Sequence, residues 1–212
     1  MVERAADGSY TIGPIPGIGG PFDTAAEFVQ EFTKCLWFPG PRRLDPYIAS
    51  ILNLEQVLYG YDSFPDWLAD LVASGKHFTR EGPFPICHPD MFYHNVLYDN
   101  DFKTVGVIDF AGAITAPWEL VGWPALVATP PPLFSAPMAP LEEEDAGRKD
   151  AELAYVAMVR QAEEDANLDH KLSDILSDRD LQDLATTINH FRKGKMADYK
   201  QVMDHYTDIY MA

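Results

Sequence analysis

Apolar and polar positions alternate along the chain in a way that separates helical stretches from one short β-rich stretch. Thr24-Ala-Ala-Glu27 has the form of a capping box, and Phe28, Val29, Phe32 and Leu36 follow it at helical spacing. That pattern predicts a first helix ending before Pro39-Gly40-Pro41. Ile48, Ile51, Leu52, Leu54, Val57 and Leu58 predict a second helix from Pro46 to Tyr59. Ser63, with Pro65 in the first turn and Gly75 beyond the end, predicts a third over 64–73. Pro85–His88, Asn95–Asp99 and Lys103–Phe110 read as strands, the last two joined as a hairpin at Asn100-Asp101. Helical spacing returns over 142–167, over 178–193 with Ser177 as cap and Gly194 as stop, and over 195–210.

The expected fold is therefore α+β and predominantly α-helical, one domain over residues 1–212 with a small β-hairpin at its centre. Residues 1–22, rich in Gly and Pro, read as an irregular segment, and 124–141 as a proline-rich extended connection. Residues 142–212 form the helical C-terminal part. The uncharged run 120–141 is long enough to span a bilayer, but its six prolines exclude a lipid-exposed helix.

Charge narrows the partners. Lys and Arg number 16 against 33 Asp and Glu, a net charge of −17 spread along the chain. Such a surface repels phosphate backbones and anionic lipid, so neither nucleic acid nor membrane is an expected partner. Two cysteines, Cys35 and Cys87, make no disulfide framework, and the start lacks the apolar core of a signal peptide. Together these point to a cytoplasmic protein.

The chemistry concentrates in residues 85–113. His88-Pro-Asp90 is followed by Asn95 and, after the hairpin, by Asp109 at a strand end. Phosphoryl transfer needs this set: a carboxylate to take the proton of the attacking hydroxyl, and an Asn and a second Asp to hold Mg²⁺. The intervening hairpin fixes the separation of the two metal-holding groups.

His88–Asp99 and Val105–Ala113 resemble the catalytic segments of the aminoglycoside phosphotransferase-like and choline-kinase-like family of the protein-kinase-like fold, its fungal members especially. Tyr10-Thr-Ile-Gly-Pro14 and the helix opening at Thr24 resemble the segment that precedes the C-lobe helices of such proteins. The resemblance implies Asp90 as catalytic base, Asn95 and Asp109 as Mg²⁺ ligands, His88 as a catalytic-loop residue that braces it, and a small hydroxylated or amino molecule as substrate. ATP would be the cofactor. Family members bind it beneath an N-terminal lobe carrying a phosphate-binding Lys, and the segment before Thr24 is too short for that lobe. The chain thus resembles the C-lobe alone. On that ground it is expected to transfer phosphate from ATP poorly by itself, and to pair with a second copy or a partner chain over the face such a lobe would cover.

Other readings compete with this one. A lobe without ATP transfer could serve as a binding module, or as a biosynthetic enzyme using Asp90 and His88 for acid–base work. His88, Asp90 and His94 could form an iron triad, but His94 lies close to Asp90 in sequence, whereas such triads draw their second His from a distant strand. Gly17-Ile-Gly-Gly20 lacks the spacing of a phosphate cradle and reads as a loop. Phe110, Trp118 and Trp123 are expected to pack the core rather than stack a ligand. Glu142–Asp145 and Glu163–Asp165 read as solvated helix surface, with attraction of a cationic substrate the sharper alternative. Cys87 reads as a packing residue.

Overall fold

The structure is a computed structural model, and it describes residues 2–4, 6–8, 10–37, 54–88, 90–124, 142–195 and 197–210. It is mostly helical with small antiparallel two-stranded sheets. Strands β1 (Val2–Arg4) and β2 (Tyr10–Ile12) pair with each other, and helices α1 (Ala25–Cys35) and α2 (Leu54–Ala73) follow. Then come β3 (Ile86–Cys87), β4 (Val96–Tyr98), β5 (Thr104–Val107) and β6 (Ile114–Thr115). The chain closes with α3 (Glu142–Asp165), α4 (Lys171–Ser177), α5 (Arg179–Arg192) and α6 (Tyr199–Tyr210). β4 pairs with β5 and β3 with β6, so segments 88–99 and 105–113 lie side by side. No helix among the described residues is long and apolar enough to cross a membrane.

The capping box forms as the sequence predicts. Glu27 N–H donates to Thr24 Oγ1, while Thr24 N–H and Asp23 N–H donate to Glu27 Oε2, each at 3.2 Å. Phe28, Val29 and Phe32 face a core shared with Val57, Phe64, Leu68 and Leu71 of α2. Leu184, Ile188 and Phe191 of α5 and Tyr199, Val202, Met203 and Tyr206 of α6 complete it.

Several boundaries depart from the sequence expectation. The irregular segment expected over 1–22 contains the β1–β2 hairpin, with Val2 opposite Ile12 and Gly8 at φ +85 in the turn; residues 13–23 remain irregular. The two helices expected over 46–59 and 64–73 are one from Leu54 onward, with Pro65 inside it and no cap at Ser63; residues 46–53 lie outside the described residues. Val57, Tyr61, Phe64, Leu68, Leu71 and Val72 form one continuous buried stripe, and burying it whole outweighs the backbone hydrogen bond that Pro65 forgoes. The connection 125–141 also lies outside the described residues.

In the C-terminal half, Asn167 at φ +52 sits just past α3, where Leu168 N–H donates to Glu163 C=O at 2.8 Å. α4, which the sequence analysis did not separate, uses Ser177 internally: its hydroxyl donates to Ser173 C=O at 2.6 Å. The cap of α5 passes to Asp178, whose Oδ1 accepts Leu181 N–H at 3.0 Å. α5 ends as expected, with Gly194 at φ +68 donating to Phe191 C=O and Lys195 N–H to His190 C=O. The last helix begins at Tyr199 rather than Lys195, its first turn closed by Asp198 Oδ1 accepting Gln201 N–H at 3.1 Å. Glu163 is no solvated surface residue. It is 7% exposed, and its Oε1 accepts Leu172 N–H at 2.9 Å, covering the start of α4. The side chains of 142–145 lie outside the described residues.

Two imidazoles tie this packing to pH. Burial pushes His77 down to about 4, with Asp178 opposing and Arg80 adding to the shift. Burial, with Lys195 and Lys193, pushes His190 to about 4 as well. Both folded values lie below the ordinary histidine value of 6.5, so the unfolded chain binds more protons between pH 6.5 and 4 and stability falls as pH drops through that window. We expect each histidine to cost about 2 kcal/mol between pH 7 and pH 5. Urea unfolding across that range should show the loss, and His77→Phe should remove about half of it.

Candidate functional site

Residues 85–115 form the site, and backbone pairing sets its frame. Val96 pairs with Val107, and Ile108 N–H donates to Asn95 C=O at 2.9 Å, which brings Asn95 and Asp109 to the same end of the β4–β5 hairpin. The turn at the far end spans Asp99–Phe102, closed by Phe102 N–H donating to Asp99 C=O at 3.1 Å, rather than a two-residue Asn-Asp turn. Asp99 Oδ1 accepts Asp101 N–H and Lys103 N–H, each at 2.9 Å, and Phe102 takes the left-handed conformation at φ +59. Asp109 itself lies at φ +61, two residues past the end of β5, and its side chain is exposed.

The loop 88–95 closes around two side chains. Asp90 N–H donates to His88 Nδ1 at 3.2 Å, which makes Nε2 the protonated nitrogen, and Nε2 lies 2.9 Å from Ile108 C=O as its donor. His88 therefore ties the loop to the end of the hairpin, and both ring nitrogens are occupied in doing so. That geometry fits the bracing role. Acid–base work by His88, or its use as an iron ligand, would break one of those bonds.

Asn95 is 4% exposed and is the hub of the loop. Its Nδ2 donates to Asp90 C=O at 2.8 Å and lies 3.5 Å from Asp90 Oδ2. Both partners are acceptors, so the amide is oriented: nitrogen toward Asp90, and Oδ1 the atom left to offer. Asn95 N–H donates to Phe92 C=O and Phe92 N–H to Asp90 C=O, closing the turn. Asp90 projects outward and is exposed, with His94 Nε2 3.2 Å from its Oδ2. His94 is the residue the sequence analysis weighed only as an iron ligand; its place four residues after Asp90 in a tight turn was the available signal.

Neighbours of the loop divide from expectation. Phe110 does not pack the core; it is half exposed and meets the His88 ring edge-on with centroids 4.8 Å apart. Trp118 and Trp123 are half-buried, beneath Lys171 at 5.2 Å and Arg179 at 5.1 Å respectively. Burial pushes the Cys87 thiol up, as a packing residue rather than a nucleophile requires. The Gly17–Gly20 segment folds on itself, Ile15 and Gly19 exchanging backbone hydrogen bonds at 2.7 and 2.9 Å. Among the described residues no group of three or more His, Cys, Asp or Glu is placed to share a metal ion.

Comparison with protein-family models, with curated proteins and with solved structures finds no match to this chain.

The Asn95 geometry is directly testable. Asn95→Asp keeps the shape but sets a buried carboxylate oxygen against Asp90 C=O and Oδ2 with no proton between them. We expect it to cost about 3 kcal/mol at pH 7, more than Asn95→Ala, because an unpaired buried charge is worse than a missing bond. Urea unfolding should show the Asp variant regaining stability as pH falls and its carboxyl protonates.

Proposed function

We propose that this site is phosphotransferase-like, of the aminoglycoside phosphotransferase and choline-kinase type, and that the helices, loop and hairpin correspond to the C-terminal lobe of that kinase-like fold. Its substrate is a small molecule bearing a hydroxyl or amino group. The observation that carries the reading is the convergence of Asp90, Asn95 and Asp109 at one end of the β4–β5 hairpin, with Asp90 exposed and Asn95 buried. Asp90 is held by its backbone to His88 and Asn95, and its exposed carboxylate meets His94 and Asn95 only through Oδ2, so a substrate hydroxyl can approach Oδ1 and give up its proton.

The residues fit Mg²⁺. The Asn95 amide turns its nitrogen to Asp90, leaving an oxygen, and Asp109 adds an exposed carboxylate; oxygen donors of this kind suit a hard cation. Bound there with ATP, the ion would neutralise phosphate charge. Tyr93, Leu97, Phe102, Val105 and Ile108 leave an exposed apolar surface on the same segment, which supports the reading that a second copy or a partner chain covers it.

One observation favours a second reading, acid–base chemistry without nucleotide: His94 and Asp90 are adjacent and both half exposed or more. The experiment separates the two. Turnover of Mg·ATP on amino sugars and small alcohols is compared for wild type, Asp90→Asn, Asp109→Asn and His94→Gln, alongside Mg²⁺ titration followed by amide NMR. Phosphotransfer predicts a loss of about 10²–10⁴ for Asp90→Asn, little change for His94→Gln, and Mg²⁺-dependent shifts at 95 and 109 that Asp109→Asn abolishes. Full-rate turnover by Asp90→Asn would overturn the assignment.

A further inference from the structure

A pocket lies at the other end of β3 from Asp90. Residues 21–24, before and at the cap of α1, and residues 81–84, before β3, enclose with Thr115 a pocket of about 470 Å³, within the size range of small-molecule sites. Pro21, Phe22, Pro83 and Phe84 give it apolar walls, and Asp23 and Glu81 are its charged residues.

The pocket is built on paired backbone. Ala25 N–H donates to Arg80 C=O at 2.9 Å and Gly82 N–H to Asp23 C=O at 2.8 Å, joining the two loops. Behind them, Arg80 N–H donates to Oε1 of Glu119, which is 2% exposed, and Trp118 Nε1–H donates to Pro83 C=O at 3.1 Å. Both anchors come from the turn that follows β6, so the walls are held from the core side.

Its electrostatics have one sign. The N–H groups of Asp23 and Thr24, which at a bare helix start would attract an anion, are both spent on the Glu27 carboxylate. Among the described residues the carboxylates of Asp23 and Glu81 take no hydrogen bond and no ion pair, and no Lys, Arg or His lines the pocket. The second oxygen of Glu119, buried and without a hydrogen-bond partner, adds a carboxylate behind the wall. Two carboxylates in the lining, with no Lys, Arg or His among the lining residues and apolar walls beside them, favour a negative potential in the cavity.

We propose that this pocket binds a small organic cation, a protonated amine on an apolar or aromatic body, its ammonium toward Asp23 and Glu81 and its body against Phe22 and Phe84. The aromatic faces attract a cation as well as supplying apolar area. This site is independent of the phosphotransfer reading, since it shares no residue with the loop 88–95.

The test is an amide NMR titration of the whole chain with phenethylammonium, with neutral 2-phenylethanol and with phenylacetate anion. Saturable shifts at 22–24, 81–84 and 115 are expected for the amine alone, with a Kd of roughly millimolar, weakened by added salt. Asp23→Asn and Glu81→Gln, which change exposed side chains and leave the backbone hydrogen bonds in place, should each weaken it up to about fivefold. Equal binding of the alcohol, shifts confined to 88–95, or no saturable shifts at the pocket would each overturn the proposal. So would a Lys-containing peptide that shifts the pocket residues where the amine does not, which would make the surface a protein-docking site instead.

Discussion

The helical half depends on burying one aromatic cluster. Phe64 stacks on Phe191 at 4.7 Å, and Tyr199 meets Phe64 at 5.3 Å and Phe191 at 5.0 Å, so α2, α5 and α6 converge on three rings. The approach is close enough that a Cβ at Gly60 would come within 2.9 Å of Lys200 N and 3.1 Å of Tyr199 Cβ. Interiors this dense carry their strain to neighbours, and a ring lost here would leave a cavity that three helices cannot close together. The same packing explains why α2 runs unbroken through Pro65.

From that core the chain is delivered to the site in short steps. α2 ends at Ala73, Gly75 turns the chain at φ +68, Phe78 returns to the core at φ +55, and Arg80 joins the start of α1. β3 then has only to pair with β6 to set His88, and His88 joins the loop to the end of β5 through Ile108. The site is thus positioned by backbone pairing and two side chains, His88 and Asn95, rather than by the helical core directly. Small strands suffice because His88, Asp90, Phe92 and Asn95 of the loop are each held by a hydrogen bond.

What was legible in the sequence was whatever local chemistry decides. The capping box at Thr24, the stop at Gly194 and the β4–β5 hairpin need only neighbours in sequence, and each forms where its residues predict. Tertiary context decided the rest. Ser177 and Asp178 are both good caps, and only the fold shows that Ser177 is used inside α4. Glu163 looks solvent-facing on a helix wheel, yet the start of α4 folds back over it and takes its carboxylate. Of the candidate site, the convergence of Asn95 and Asp109 followed from hairpin register, while the orientation of the Asn95 amide and the two bonds of His88 depended on acceptors fixed only by the folded loop. The pocket beneath Phe22 and Phe84 left no sequence signal, because its two loops lie far apart along the chain.

Charge links the two ends of β3. The site end carries Asp90 and Asp109, with Asp99, Asp101 and Lys103 at the far turn of the hairpin and Lys103 the one Lys or Arg in the sequence between Arg80 and Arg148, and the pocket end carries Asp23, Glu27 and Glu81. A polyanion approaching either end meets carboxylates in a chain of net charge −17. At the hairpin end only a divalent ion can reverse that sign locally, since a cation held by Asn95 and Asp109 would be the largest charge present. At the pocket end the Glu27 carboxylate already occupies the helix-start donors, so nothing there reverses it. On the two readings proposed, ends of the same overall charge take opposite ligands for a physical reason: a divalent ion beside an amide oxygen and a carboxylate reverses the local sign and admits an anion, whereas carboxylates beside aromatic rings with no such ion favour an organic cation.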